Sequence, residues 1–408
     1  MLATLIPLFD DKLKVTAYSL FTQKTNMLLN PSLLGTGARD GAGVINGFEV
    51  IESMGIETIS EDKQIFIPVN NISIFSSIEE QCKDAPKERI VLLIDNTIKP
   101  EEMYVNRIKE LRDMGFKLAI KKLTVQDFEP NKPIISLANY IFLDNKKIDI
   151  SKAKIYFSKI YPNVKLCAVN VESMDMFDKL VEDGGYTYYE GEFYRLPITK
   201  GQTDVAPLKV NYIELLNIVN DIDFDLTKAA DIIGRDTALV VKLLGIVNKL
   251  TVNSEITSIR HAAAMLGQKE LKKWINTAVT SQLCADKPNE ITRVSLLRAK
   301  FAENLSPLFE KAGQASELFL VGLFSVLDII LDMPMSEALK KVKVSKTIES
   351  ALIEHKGDFA DVLDFIIAYE NGNWGEVDRI MLLGKFDNDS VYSAYKSSLE
   401  WYRDLFRS

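Results

Sequence analysis

The chain has 408 residues, more than one ordinary domain needs, so two domains are expected. Hydrophobic residues make up 47% and charged residues 26%, a globular composition with ample core. Net charge is −8, with 25 Lys+Arg against 28 Asp+Glu in residues 1–200 and 24 against 29 in 201–408. Neither half therefore has the cationic excess that counterion release on a nucleic acid requires, and no nucleic-acid partner is expected.

The opening "MLATLIPLFDDK" lacks a basic start, and its apolar run is too short for a secretory signal. From there the first half alternates. Strand-like runs lie at 13–22, 65–69, 89–95, 117–122, 140–144, 164–169 and 186–191, and helical stretches at 41–55, 100–115 and 172–185. The strands are continuous apolar runs, as expected when both faces are covered by crossover helices. This pattern predicts a parallel α/β barrel of the TIM type, with an open doubly wound sheet as the alternative. The Gly-rich "GTGARDGAG" at 35–43 lacks the Lys–Ser/Thr of a phosphate loop and is expected to be an ordinary barrel loop.

Composition changes at 195–211, where two prolines, a glycine and small polar residues mark a linker. Beyond it strand signals vanish. Helical spacing runs through 227–234, 236–250, 258–267, 270–283, 291–313, 316–331 and 393–406. Asp236 and Ser258 are expected N-caps, and Gly234, Gly267 and Gly313 expected stops. The longest apolar run, 318–327, is about half of what spans a bilayer and predicts a buried helix, so no membrane insertion is expected. The predicted organisation is an α/β barrel domain over 1–197, a linker over 198–208, and an all-α domain over 209–408.

Cys82, Cys167 and Cys284 are scattered, with no CxxC pair, so neither a zinc knuckle nor a disulfide framework is indicated. Three reduced thiols in a cytoplasmic protein is the expectation. The two histidines, His261 and His355, are followed by Ala262 and Lys356 and are too few for a His-Asp metal centre. Acids at 221, 223 and 225 echo a calcium loop but lack its Gly and terminal Glu, and are expected to cap a helix. Trp374, Trp401, Tyr369, Tyr395 and Tyr402 crowd the last helices. They are expected to be core, with an aromatic partner surface as the alternative.

The stretches "IIGRDTALVVKLLGIVN" (232–248), "ITSIRHAAAMLGQKELKKWI" (256–275) and "ELFLVGLFSVLDIIL" (317–331) resemble the HDOD domain, a helical signalling module related to the HD phosphohydrolases. The order and spacing of the first half resemble the EAL domain, the barrel that hydrolyses cyclic di-GMP. Together the halves resemble EAL–HDOD two-domain signalling proteins, over nearly the whole chain.

That resemblance implies a set of metal-holding carboxylates and an Asn at the strand ends, because divalent cations need several hard oxygen ligands. Aligned by it, the signature Glu falls on Tyr18, the Asn on Asn70, the next Glu on Asn96 (with Asp95 beside it), and the Asp–Asp pair on Lys121 and Lys122. The Lys falls on Phe142, two residues before Asp144. A later Glu falls on Val169, with Glu172 matching its companion, and the late Gln falls on Glu190.

An ammonium ~4 Å from a divalent ion repels it by several kcal/mol even at moderate effective dielectric. Only one of two successive strand lysines points into the mouth. The resemblance thus implies a barrel that kept its fold and lost its phosphodiesterase, with no catalytic residue, metal or cofactor. Its expected role is that of a signalling scaffold acting through a protein partner or a second copy of itself. The alternatives are that Lys121 and Lys122 are ordinary rim lysines, or that the pocket senses cyclic di-GMP or another nucleotide without metal or retains residual hydrolysis. The HD dipeptide falls on Ser325 and Val326, which carry no metal ligands; HDOD domains as a family lack them.

Overall fold

A computed structural model describes residues 1–23, 47–83, 85–199, 207–221, 223–250 and 259–406. The loop at 35–43, the cap at Ser258 and most of the linker lie outside the described residues. By internal contacts the chain divides into two compact units. One comprises 1–196, 307–310 and 364–408, the other 197–306 and 311–363.

The first unit is a closed barrel of eight strands in sequence order. They are β1 (Leu2–Phe9), β2 (Val15–Gln23), β3 (Gln64–Val69), β4 (Ile90–Ile94), β5 (Lys117–Ile120), β6 (Tyr140–Asp144), β7 (Lys165–Val169) and β8 (Tyr186–Glu190). Strands β2 to β8 run parallel. The first strand runs antiparallel to both neighbours, an orientation that a purely parallel reading lacks. It enters as a hairpin with β2. In the turn the Asp10 carboxylate accepts the N–H groups of Lys12 and Lys14, both at 2.9 Å, and Leu13 takes a positive φ of 59°.

The interior is filled rather than hollow. Phe66 packs edge-on against Tyr140, Phe142 and Tyr188, and both tyrosine hydroxyls donate to the Gln64 side-chain carbonyl at 3.0 and 3.1 Å. Aromatic edge-to-face packing with satisfied hydroxyls suits a small barrel whose lumen must be closed by side chains. Outside it lie helices Phe48–Met54, Glu102–Asp113, Ile150–Ile160 and Met174–Asp183. Asp149 and Ser173 cap the last two, accepting N–H groups of Lys152 and Met176.

The expected helical domain of 209–408 and the compact units differ at the C-terminus. Residues 364–408 fall in the barrel's unit, with helices Trp374–Gly384 and Asn388–Phe406. Trp374 stacks on Phe21 of β2 at 6.0 Å and 12°. The Tyr369 hydroxyl accepts the Ala3 N–H of β1 at 3.2 Å, and Gln23 donates to the buried Asp378 carboxylate at 2.9 and 3.0 Å. Arg195, just after β8, pairs with Glu370 at 2.9 Å. Of the terminal aromatics, Tyr369 and Trp374 therefore meet the barrel strands; Tyr369 and Tyr395 are buried core, while Trp374, Trp401 and Tyr402 are half-buried.

The second unit is helical. Its elements include Pro207–Val219, Leu226–Ile233, Thr237–Leu250, Ile259–Leu283, Asn289–Leu305 and Ala315–Phe324. Asp236 accepts the Leu239 N–H at 3.1 Å and Asp225 those of Thr227 and Lys228, so both act as caps. Gly267 breaks its helix with φ 74°. Gly313 is not the stop expected for 291–313. That helix ends at Leu305, two residues before Pro307, which has no N–H to donate back to the Glu303 carbonyl. All three cysteines are free and buried.

Candidate functional site

Strand parity decides what faces the barrel mouth. Ala17, Phe66, Leu93, Ala119, Phe142, Cys167 and Tyr188 form the interior cluster of β2 to β8. Two residues further along each strand side chains return to the same face, at Ser19, Pro68, Asp95, Lys121, Asp144, Val169 and Glu190. Of the expected site residues, Lys121, Asp144 and Glu190 thus share the mouth. Asn70, on the same parity beyond β3, is buried and uses its side-chain oxygen locally, accepting the N–H groups of Ile72 and Ser73 at 2.9 and 2.8 Å.

Tyr18 and Asn96 are placed on the opposite parity. Tyr18 is buried on the helix-facing side of β2, and Asn96 is exposed in the turn after β4. Both therefore stand one residue away from an inward position, since a one-residue step turns a strand side chain to the other face. The inward residues at those strands are Ser19, which is buried, and Asp95. The sequence carries this signal in the alternation within each strand, once one interior residue is known.

The lysine pair splits. Lys121 continues β5 inward, and its N–H donates to the Ile94 carbonyl at 2.9 Å. Lys122 turns out with φ 62° and reaches Asp95 at 3.0 Å as an exposed arm. Asp95 is raised by burial, but hydrogen bonds from Thr97 and Lys122 outweigh this and leave its carboxyl below the ordinary value.

Burial lowers the Lys121 amine, assisted by Lys122 and opposed by Asp95 and Glu190. Burial pushes Glu190 up to about 7, against Lys121 and with Asp144. Asp144 in turn accepts the Asn170 amide at 2.6 Å and the Lys146 N–H at 3.0 Å. Glu172 lies outside this group, exposed and paired with Lys146 at 2.9 Å.

One wall of the mouth comes from the chain's far end. The Lys121 ammonium lies 5.9 Å from the Phe21 ring, whose other neighbour is Trp374. The mouth therefore holds an ammonium at its centre, carboxylates around it and an aromatic wall. Among the described residues, no group of three or more His, Cys, Asp or Glu side chains is arranged to hold a metal ion. At the HD position of the helical unit, Ser325 donates to the Gly322 carbonyl and accepts from the buried Arg298, a packing role.

Comparison with known proteins places these features. The HDOD domain matches residues 205–355. Uncharacterized protein YuxH of Bacillus subtilis is 27% identical over 412 residues, covering 98% of this chain and 97% of that one. Cyclic di-GMP phosphodiesterase CdgJ of Vibrio cholerae is 26% identical over 328 residues, covering 79% and 75%.

Among solved structures, EAL enzyme Bd1971 bound to cAMP and cyclic di-GMP matches with TM-score 0.35 and 11% identity, over 46% of this chain and 60% of that one. The Bacillus subtilis YkuI protein, with an EAL domain, matches with TM-score 0.36 and 16% identity, over 47% and 53%. The chain thus spans little more than half the length of those two solved proteins. An HDOD domain thus follows a closed eight-strand barrel, and the chain is similar over most of its length to a cyclic di-GMP phosphodiesterase.

Proposed function

We propose that this protein is a signalling regulator without catalysis, working in the cytoplasm through a protein partner or a second copy of itself. The observation that carries the reading is Lys121, whose ammonium sits inside the mouth, interacting with Asp95 and Glu190. Both carboxylates attract that ammonium, and a divalent cation entering there meets its positive charge directly. Ser19 supports the reading, since a hydroxyl stands at the inward position of β2 where the resemblance calls for a carboxylate. No step of phosphodiester hydrolysis is assigned to these side chains.

Incubating the full chain with cyclic di-GMP and Mn²⁺ or Mg²⁺ tests this. The expected outcome is no linear dinucleotide product above the buffer control. Steady turnover that is lost when Asp95 or Asp144 becomes Asn would overturn the reading.

A second reading, a nucleotide sensor or residual phosphodiesterase, is favoured by the inward carboxylates Asp95, Asp144 and Glu190 and by the named activity of CdgJ. It requires cyclic di-GMP binding in calorimetry that Lys121→Ala changes.

A further inference from the structure

The helical unit contains a cleft of the opposite electrostatic character. Lys269, Lys272, Lys273 and Asn276 recur at intervals of three and four along the Ile259–Leu283 helix, after the Gly267 break, and so share one face. That face lines a cavity of about 100 Å³ together with Asn220, Glu303, Ser316, Phe319 and Leu320. Reciprocal amide hydrogen bonds of 3.0 and 3.1 Å between Asn220 and Asn276 brace one side.

The charges there do not cancel. Glu303 is shared by Lys273 and Lys300, each at 2.7 Å, so this trio keeps one net positive charge. Lys272 forms no ion pair within 4 Å among the described residues. Its ammonium donates to the Asp221 backbone carbonyl at 3.3 Å and lies 5.0 Å from the Phe224 ring. The Asp221 carboxylate attracts it from further off and is itself paired with Lys343 at 2.6 Å. Glu270 acts on Lys273 only at a distance. Lys269 stands exposed at the rim and forms no ion pair among the described residues. Burial lowers the amines of both Lys272 and Lys273. A part-buried ammonium without a carboxylate costs stability, and an incoming anion relieves that cost.

We propose that this cleft binds the phosphate group of a small organic phosphate. Lys269 and Lys272 supply the uncommitted positive charge, the Ser316 hydroxyl supplies a neutral donor, and Phe319 and Leu320 form the apolar side. The cavity has room for about three waters, enough for a phosphate group but not for a buried nucleoside, so the rest of the ligand lies outward along the rim. The site is separate from the barrel mouth and does not depend on the function proposed for it.

Calorimetry on the full chain with AMP, inorganic phosphate and adenosine tests the assignment. AMP and phosphate are expected to bind, with adenosine at least tenfold weaker than AMP. Lys272→Met is expected to weaken AMP at least tenfold, and Lys272→Arg to restore most of it. Lys269→Ala lies on an exposed position that the fold does not need, and is expected to weaken AMP severalfold. Adenosine binding as well as AMP, AMP affinity unchanged in both Lys272→Met and Lys269→Ala, or no AMP binding at millimolar concentration would each overturn the proposal.

Discussion

The chain places partly buried lysines in two settings, and the difference lies in what surrounds them. In the barrel, Lys121 meets Asp95 and Glu190, with Phe21 and Trp374 forming a wall. In the helical unit, Lys272 has a carbonyl, an aromatic ring and further lysines for near neighbours, with the Asp221 carboxylate acting only from further off. Burial lowers both amines. The first setting supplies its own counter-charges and the second leaves part of that work to a ligand. A buried ammonium alone says little about binding; the carboxylates within reach of it say more.

The comparison can be broken at three points. The largest effect is expected from Trp374→Ala, which removes the wall beside Phe21 and one of the links between the terminal helices and β2. Full burial of Trp or Phe makes truncation to Ala cost about 3–5 kcal/mol, so this half-buried ring should cost about 2 kcal/mol. Urea unfolding measures it, and an unchanged midpoint would mean that the Phe21–Trp374 stack does not support the barrel.

Next comes Glu190. Its carboxyl is raised to about 7 in the fold, above the ordinary 4.5, so the folded state holds its proton longer than the unfolded chain. Its unfavourable contribution is absent below about pH 4.5, grows as pH rises to about 7, and is constant above. Glu190→Gln should remove that decline, on the order of 2 kcal/mol between pH 5 and 8 after allowance for screening. Thermal melts of both proteins across this range provide the measurement. Parallel pH profiles would place Glu190 in water rather than at a buried mouth.

The smallest effect is the sharpest test of the contrast. Lys121→Met removes the charge that holds Glu190 down, so Glu190 should titrate above its present value, while Lys272→Met should leave it unmoved. Carboxyl NMR shifts followed through pH read both variants. A Glu190 titration unaffected by Lys121→Met would remove the basis for the proposed non-catalytic role.

Seven of the strands were legible as apolar runs, because strands covered on both faces have little else to show. The first strand was not, since "LATLIPLF" reads equally as a strand or a buried helix until it pairs with β2. The helix Ile150–Ile160 was also missed, although Asp149 marks its start. Site residues proved harder than strands. Lys121, Asp144 and Glu190 came together at the mouth, while Tyr18 and Asn96 missed it by one position each. A boundary error of one residue hardly alters a strand's extent, yet it reverses which way its side chains point.

The sequence by itself determined the alternation of elements, the change to an all-helical second half, the HDOD resemblance and the presence of lysines where acids were expected. Those are local properties, carried by spacing and residue type. Tertiary structure decided the antiparallel first strand, the face each strand-end residue presents, and the assignment of residues 364–408 to the barrel's unit. It also decided which lysines are balanced. The physical reason is common to all four. Closure, parity and charge pairing depend on residues distant in the chain, such as Phe21 with Trp374 or Lys121 with Glu190, and no local window of sequence contains both partners.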